Sequence, residues 1–300
     1  MSEQDQPVVL AVGQEPVGAA LVFAADEATR TGTRLHLVHV LHELTQGPTT
    51  TQIVEADLVL AGRSLLTTIV DMADDLVVGR VPVTTELRSG RIVPTLVHLT
   101  TEARMVVLQH RDLSATRRLV TRSVASGVAA RSRVPVATVP AGWVPRAPGA
   151  EARVVVGVDE PAQSREVLRA AAAEARLRRA TLTVLHTWSL EQPYGFVVIT
   201  PEEDERLQRR ATREIQVELT ALADELHGVP VNIEARHAHA ADALVAAGRE
   251  SDLLVVGRHD PRLPLGSHLG PVVRAVLRDA ESPVLLVDPR PVREPGLAPS

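Results

Sequence analysis

Residues 251–288 read SDLLVVGRHDPRLPLGSHLGPVVRAVLRDAESPVLLVD, and their order of elements decides the fold. The apolar run Leu253–Val256 is short enough for a buried strand, and Gly257 closes it. Pro261, Pro264 and Gly266 then punctuate a loop. After Gly270, Pro271 suits the first turn of a helix whose Val272, Val273, Val276 and Leu277 fall on one apolar stripe. Ser282-Pro283 stops that helix, and Val284–Val287 reads as a second buried strand. A strand, a loop and a helix N-terminus make a common phosphate-binding arrangement, because unpaired N–H groups and the helix dipole face the anion.

Working outward, the chain repeats itself. Val8–Val12 answers to Val154–Val158 at an offset of 146 residues, and Leu35–Val40 to Leu182–Thr187 at 147. Met105–Leu108 answers to Leu253–Val256, and Pro135–Val139 to Pro283–Val287, both at 148. Few insertions separate the copies, so the chain is a tandem duplication. Each half reads strand, helix, strand, long helix, strand, helix, strand, helix, strand. In the second half the first helix spans Ser164–Arg179 and the long one Pro201–Leu226, which opens on Glu202, Glu203, Asp204 and Glu205. Strand three is Val231–Ala235, and a short helix covers Ala240–Gly248. In the first half the long helix is Gln52–Val78. Buried aliphatic strands alternating with helices predict an α/β fold, two tandem Rossmann-like domains, each a five-stranded parallel sheet covered on both faces. Ligands are expected at the C-terminal strand ends, where strand order reverses. The boundaries read as a first domain 1–141, a linker 142–152 within the Pro/Gly-dense stretch Pro140–Gly149, a second domain 153–288 and a Pro-rich tail 289–300, expected to be mobile.

Composition removes several chemistries. At 300 residues the chain accommodates about two domains of roughly 150 each. It has 2% aromatic residues, so its cores are aliphatic. No cysteine means no disulfide, thiolate metal site or cysteine nucleophile. Lysine is also absent, and all 32 basic residues are arginine, which removes any Walker-type, Schiff-base or kinase lysine. A net charge of −5 argues against nucleic-acid binding as the main task. No apolar run approaches the ~20 residues of a membrane span, and MSEQDQPVV is not a basic-then-apolar leader, so a cytoplasmic protein without membrane partners is expected.

Taken together, Val155-Val156-Gly157-Val158-Asp159, His186 ending strand two, Val255-Val256-Gly257, Gly270, Ala275–Arg278 and Pro283–Val287 resemble the universal stress protein (UspA) family. The whole chain apart from linker and tails looks like its tandem, two-domain form, with the adenine nucleotide alpha hydrolase-like variant of the Rossmann arrangement. Nucleotide-binding members pair an Asp ending strand one with Gly-x2-Gly-x9-Gly-Ser/Thr. The resemblance therefore implies a ligand contacting Gly157, Val158, Asp159, Thr187, Gly257, Arg258, His259, Gly270 and Val272, with the Asp at the adenine–ribose end and the loop at the phosphates. This sequence departs from the pattern twice. Asp260 replaces the second glycine, bringing a charge and a Cβ to a polyphosphate, and Pro271 replaces the Ser/Thr, removing an N–H and a hydroxyl. A magnesium ion shared with Asp260 would offset its charge. The first half departs further, with Gly13 for Asp159, Gln109 for Gly257, Asp112 for Asp260 and Arg122-Ser123 for Gly270-Pro271. It reads as having lost the nucleotide pattern, while Arg111, Arg117, Arg118 and Arg122 still offer guanidinium groups to an anion.

Each of these residues also has a plainer reading. Asp159 would serve as a helix-capping turn residue near Ser164, Gly257 as a strand-ending turn, Gly270 as a loop glycine, and Arg258 and His259 as solvated loop residues. His237 and His239 alternate, as do His36 and His42, without a third zinc-spaced ligand, so no metal is expected. His39 and His186 occupy equivalent strand ends, which fits a hydrogen-bonding role in the fold. Ser164 and Ser267 lack the G-x-S-x-G elbow of a nucleophile. The expectation is a bacterial stress-response binding module holding ATP, with magnesium, or a related adenine nucleotide non-catalytically in its second half. The alternative is a nucleotide-free interaction protein, acting through protein partners or a homodimer. The resemblance implies dimerisation through the last strand, and here Pro135–Val139 and Pro283–Val287 would pair within one chain. A nucleotide hydrolase is disfavoured by the missing lysine, the missing general base and the altered phosphate loop.

Overall fold

The computed structural model describes residues 6–13, 16–42, 51–110, 124–147, 149–189, 200–258 and 269–289. In the first half they form β1 (Val8–Val12), α1 (Gly18–Thr31), β2 (Leu35–His42), α2 (Thr51–Val77), β3 (Val83–Gly90), α3 (Ile92–Leu99), β4 (Met105–His110), α4 (Val124–Ala129) and β5 (Val136–Pro140). The second half follows the same order. Its elements are β6 (Arg153–Val158), α5 (Arg165–Arg178, after a 3₁₀ turn at Pro161–Gln163), β7 (Thr181–Trp188), α6 (Pro201–Ala221), β8 (Val231–His237), α7 (Ala240–Arg249), β9 (Leu253–Gly257), α8 (Pro271–Asp279) and β10 (Val284–Val287).

Local chemistry sets the ends of these elements. Thr200 and Glu203 form a reciprocal capping box at the start of α6, with Pro201 in its first turn. The acidic residues after Thr200 are thus the favourable start of a helix. Several predicted ends shift, and two of the shifts show a local cause. The α2 helix stops at Val77 because Val78 is left-handed, φ 50°. The α6 helix stops at Ala221 rather than Leu226, and turns carry the chain to Gly228, φ 76°.

The ten strands make one sheet, not two, in the order β3-β2-β1-β4-β5-β10-β9-β6-β7-β8. Pairing is parallel within each half. At the centre, β5 and β10 run antiparallel, with Val284 opposite Thr138, Leu285 opposite Ala137 and Leu286 opposite Val136. The last strands of the two halves therefore hide each other's edges, so that the duplicated chain is its own pseudo-dimer. Alternation along the strands feeds two aliphatic layers. On one face Leu10, Leu37, Val156, Leu182 and Leu285 pack with α1, α2, α5 and α6. On the other, Val106, Leu108, Leu254, Val256 and Leu286 pack with α3, α4, α7 and α8. Both layers run unbroken across the seam. The linker is packed as well, with Trp143 edge-on to Phe23 at 5.9 Å and Arg146 donating to the Glu250 carbonyl at 2.6 Å. Tail residues 290–300 lie outside the described residues.

A charged cluster sits where α1 meets α5. Glu27 and Glu174 stand at equivalent places, 147 residues apart, and the Arg178 guanidinium donates to both carboxylates. All three side chains are under 10% exposed, and Arg178 also lies over the Phe23 ring at 5.9 Å. The counterpart of Arg178 in the first half is Thr31, so one cation faces two carboxylates. Burial raises the Glu27 pKa to about 8, against the lowering by Arg178 and with further raising by Glu174. Burial works against the charge on Arg178, but the carboxylates outweigh it and raise its pKa.

Candidate functional site

Strand order reverses between β1 and β4 in one half and between β6 and β9 in the other. A parallel sheet with such a reversal opens a crevice beyond the C-terminal strand ends. In the second half most of the predicted residues stand on the elements that end there, Arg258 and His259 excepted. Gly157 and Val158 end β6, Asp159 follows, and Gly257 ends β9. Thr187 on β7 lies one residue beyond the His186 that registers with Val158. Gly270 is the N-cap of α8, with Pro271 and Val272 in its first turn. His259, Asp260 and Ser267 lie outside the described residues.

Two groups are available for recognition. Asp159 is exposed, and among the described residues its carboxylate makes no hydrogen bond. It does not cap the following helix, because Ser164 is that cap and turns its hydroxyl onto the Glu160 carbonyl at 2.8 Å. The first turn of α8 supplies backbone N–H groups without a side-chain cap. Pro271 removes only one of them, at a position where the N–H has no partner within the helix.

The glycines are less free than the sequence suggests. A Cβ on Gly157 would lie 2.7 Å from Leu244 Cδ2, and one on Gly257 would lie 3.0 Å from Val167 Cγ2. Close approach of α7 and α5 to the sheet therefore accounts for both, whatever else they do. Gly270 has φ −67° and ψ 167°, a conformation open to any residue.

Arg258 needs a correction. It was expected beside the phosphates or in solvent, and it is buried at the seam instead. Its Nη1 donates to the carbonyls of Ala129 at 3.0 Å and Ser132 at 2.6 Å, and its Nη2 to Asp288 at 2.7 Å. The C-terminal carbonyl end of α4 and a carboxylate draw the cation inward.

In the first half a side chain stands at the corresponding strand end. Gln109, in the place of Gly257, reaches over the end of β1, where its Oε1 accepts from the Ala20 amide at 3.2 Å and its Nε2 donates to the Pro16 carbonyl. A side chain thus holds the first turn of α1. The substitution is visible in the sequence, but its bonding is not. The signal that would have exposed it is the partner position, where Ala20 in α1 stands for the Val167 of α5. Residues 111–123, including Arg111, Asp112, Arg117, Arg118, Arg122 and Ser123, lie outside the described residues.

The histidines resolve structurally. His39 and His186 Nδ1 meet the carbonyls ending the neighbouring strands, Val12 at 2.7 Å and Val158 at 2.9 Å. His36 is engaged by Thr84 at 2.9 Å and Glu86 at 3.0 Å. His237 and His239 do not share a strand face, because His237 ends β8 and His239 caps α7. Among the described residues no helix is long and apolar enough to cross a membrane.

The model of the universal stress protein family matches residues 6–140 and 152–288. A universal stress protein of Mycobacterium tuberculosis H37Rv is 32% identical over 206 residues, 68% of this chain and 65% of its own length. The aligned part of this chain thus spans under two thirds of that relative. A second from the same organism is 30% identical over 228 residues, 75% of this chain and 76% of its own. The crystal structure of a universal stress protein from Archaeoglobus fulgidus covers 95% of this chain and 97% of its own with TM-score 0.72, at 14% identity, and so shares the fold.

Proposed function

The chain belongs to the universal stress protein family, and from that premise we propose that it is a non-catalytic binding module of a bacterial cytoplasm that holds ATP or a related adenine nucleotide in its second half only. The observation that carries this reading is the opposite treatment of two equivalent crevices. Gln109 reaches over the strand end in the first, whereas Gly257 leaves the second without a side chain at that point, beside an exposed Asp159 carboxylate that makes no hydrogen bond among the described residues. Asp159 suits a ribose or base donor. The first-turn N–H groups of α8 suit a phosphate, with magnesium to neutralise the charge of the phosphates. Solved universal stress proteins in complex with cAMP and with dAMP align with 47% and 46% of this chain. Those ligands belong to those proteins, and the reading here rests on this chain's own crevice. The missing lysine supports binding without turnover, since no Walker-type lysine is on hand for the phosphates.

A second reading has its own observation. Gly157 and Gly257 are accounted for by packing against Leu244 and Val167, and Arg258 is spent at the seam. On this reading the fold is kept for contacts with protein partners and no nucleotide enters. The last-strand edge that would serve a homodimer is already paired within the chain.

Thermal unfolding with and without ATP and Mg²⁺, beside Asp159→Ala, separates the two. Ligand at ~100 Kd adds about 2.7 kcal/mol to stability. A shift in the wild type that Asp159→Ala loses is the expected result. No shift in either protein would leave the interaction reading standing alone.

A further inference from the structure

Arg258 sits at a junction between the candidate crevice and the other half of the molecule. Its neighbour Gly257 is the last residue of β9, at the strand end beside β6 where the strand order reverses. Its own amide donates to Val287 on β10 at 2.9 Å. Its guanidinium spans from Asp288, just past the end of β10, to the carbonyls of Ala129 and Ser132 at the end of α4, which belong to the first half. The side chain is 8% exposed, so these are desolvated, charge-assisted bonds. A guanidinium is suited to this task, with several donors in a rigid fork that can satisfy a carboxylate and two carbonyls together. The equivalent position in the first half carries His110, so this arginine tie comes from one side only.

Resting on the nucleotide reading above, we infer that Arg258 is a positioning residue: by fastening the exit of β9 to α4 and β10 it makes ligand binding in the second half depend on the pairing of the two halves. The exit of β9 must stay in place for Gly257 to leave the crevice open, and both carbonyls that receive the guanidinium among the described residues, Ala129 and Ser132, belong to the first half. Coupling is reciprocal. If pairing positions the crevice, a bound nucleotide must in turn tighten the seam.

The full-length chain tests this with ATP and Mg²⁺ as the probe. Calorimetric titration would compare wild type, Arg258→Gln and Asp288→Asn, the last keeping both carbonyl bonds. Hydrogen exchange at the amides of residues 136–139 and 284–287 would be followed with and without ATP. The expected result is a loss of affinity of about tenfold in Arg258→Gln and a smaller loss in Asp288→Asn. ATP should slow exchange at the seam of the wild type but not of Arg258→Gln. If Arg258→Gln does not fold, Asp288→Asn decides by the same two readouts. Wild-type affinity in the variants, or a seam whose exchange is unmoved by bound ATP, would overturn the inference while leaving nucleotide binding intact. A wild type that binds no ATP would remove the nucleotide reading itself, and this inference with it.

Discussion

Among the described residues the two halves share the same order of strands and α-helices and differ at the point where a ligand would enter. In the first, position 109 carries a glutamine and the facing helix position an alanine, Ala20. In the second the sizes are exchanged, with glycine at 257 and Val167 opposite, so close that a Cβ on the glycine would lie 3.0 Å from it. Each pair fills the gap between helix and strand end, but one does so with a polar side chain bonded to the start of α1. The other fills it with a methyl group from the helix side and leaves the crevice mouth clear of a side chain from β9. A glycine in a phosphate-loop position thus has a packing cause as well as a ligand cause. The pair, rather than the glycine alone, marks the difference between the halves.

The largest effect should come from breaking the other asymmetry, the single cation at the join. Replacing Arg178 by Met leaves Glu27 and Glu174 buried without their shared partner. A loss of about 3–5 kcal/mol in chemical unfolding is expected, because removing one member of a buried ion pair strands the rest. The pH dependence sharpens the point. The folded chain keeps the Glu27 proton up to about pH 8, whereas an ordinary glutamate releases it near 4.5. The folded state therefore binds more protons between these values, and the stability this group contributes is full below the lower value and lost as pH rises through the upper. Wild-type stability should decline on that account from mildly acidic to alkaline pH. Glu27→Gln should flatten the decline, and an unchanged slope would mean that the proton resides elsewhere.

Next in size is the transfer of the plug. Gly257→Gln combined with Val167→Ala copies the first-half pair, with its packing compensation, into the second half. Nucleotide affinity should fall about a hundredfold, equivalent to about 2.7 kcal/mol, read by titration calorimetry. Stability without ligand should change little because the volumes are exchanged together. Gly257→Gln alone should also cost stability by crowding Val167. Unaltered binding in the double variant would show that the crevice plays no part in ligand uptake.

Much of this architecture was legible because aliphatic strands and repeat offsets report it directly. The runs at Leu253–Val256 and Val284–Val287, and their copies 148 residues earlier, gave strand identity and order without reference to packing. Pairing of the last strands within the chain was legible only through the resemblance to a family. The site was half legible. Asp159 and Gly270 stand where the motif puts them, but nothing in a one-dimensional pattern shows that Arg258 turns away to the carbonyls of Ala129 and Ser132. A charged residue after a strand reads as solvated until the partner half is known to cover it. The Glu27–Arg178–Glu174 cluster was invisible for a related reason. Its members look like wet-face residues of α1 and α5, and only the join of the halves buries them.

The smallest effect belongs to the reverse experiment, the removal of the plug by Gln109→Gly. Two hydrogen bonds are lost, to the Pro16 carbonyl and the Ala20 amide, and a glycine is placed at a strand position. The Ala20 amide is a first-turn N–H that water can reach once the side chain is gone, so the cost should be about 1 kcal/mol. No nucleotide site should appear in its place. The first half would then have an open crevice mouth, but Gly13 stands where Asp159 supplies a carboxylate, and a ligand would have no anchor at the end of β1. If Gln109→Gly did bring a second equivalent of ATP into the titration, the open mouth alone would be sufficient for binding and Asp159 would be dispensable. If it brings none and Gln109→Gly/Gly13→Asp does, then a clear mouth and a carboxylate at the end of strand one are both required, and the two halves differ in function by those two positions.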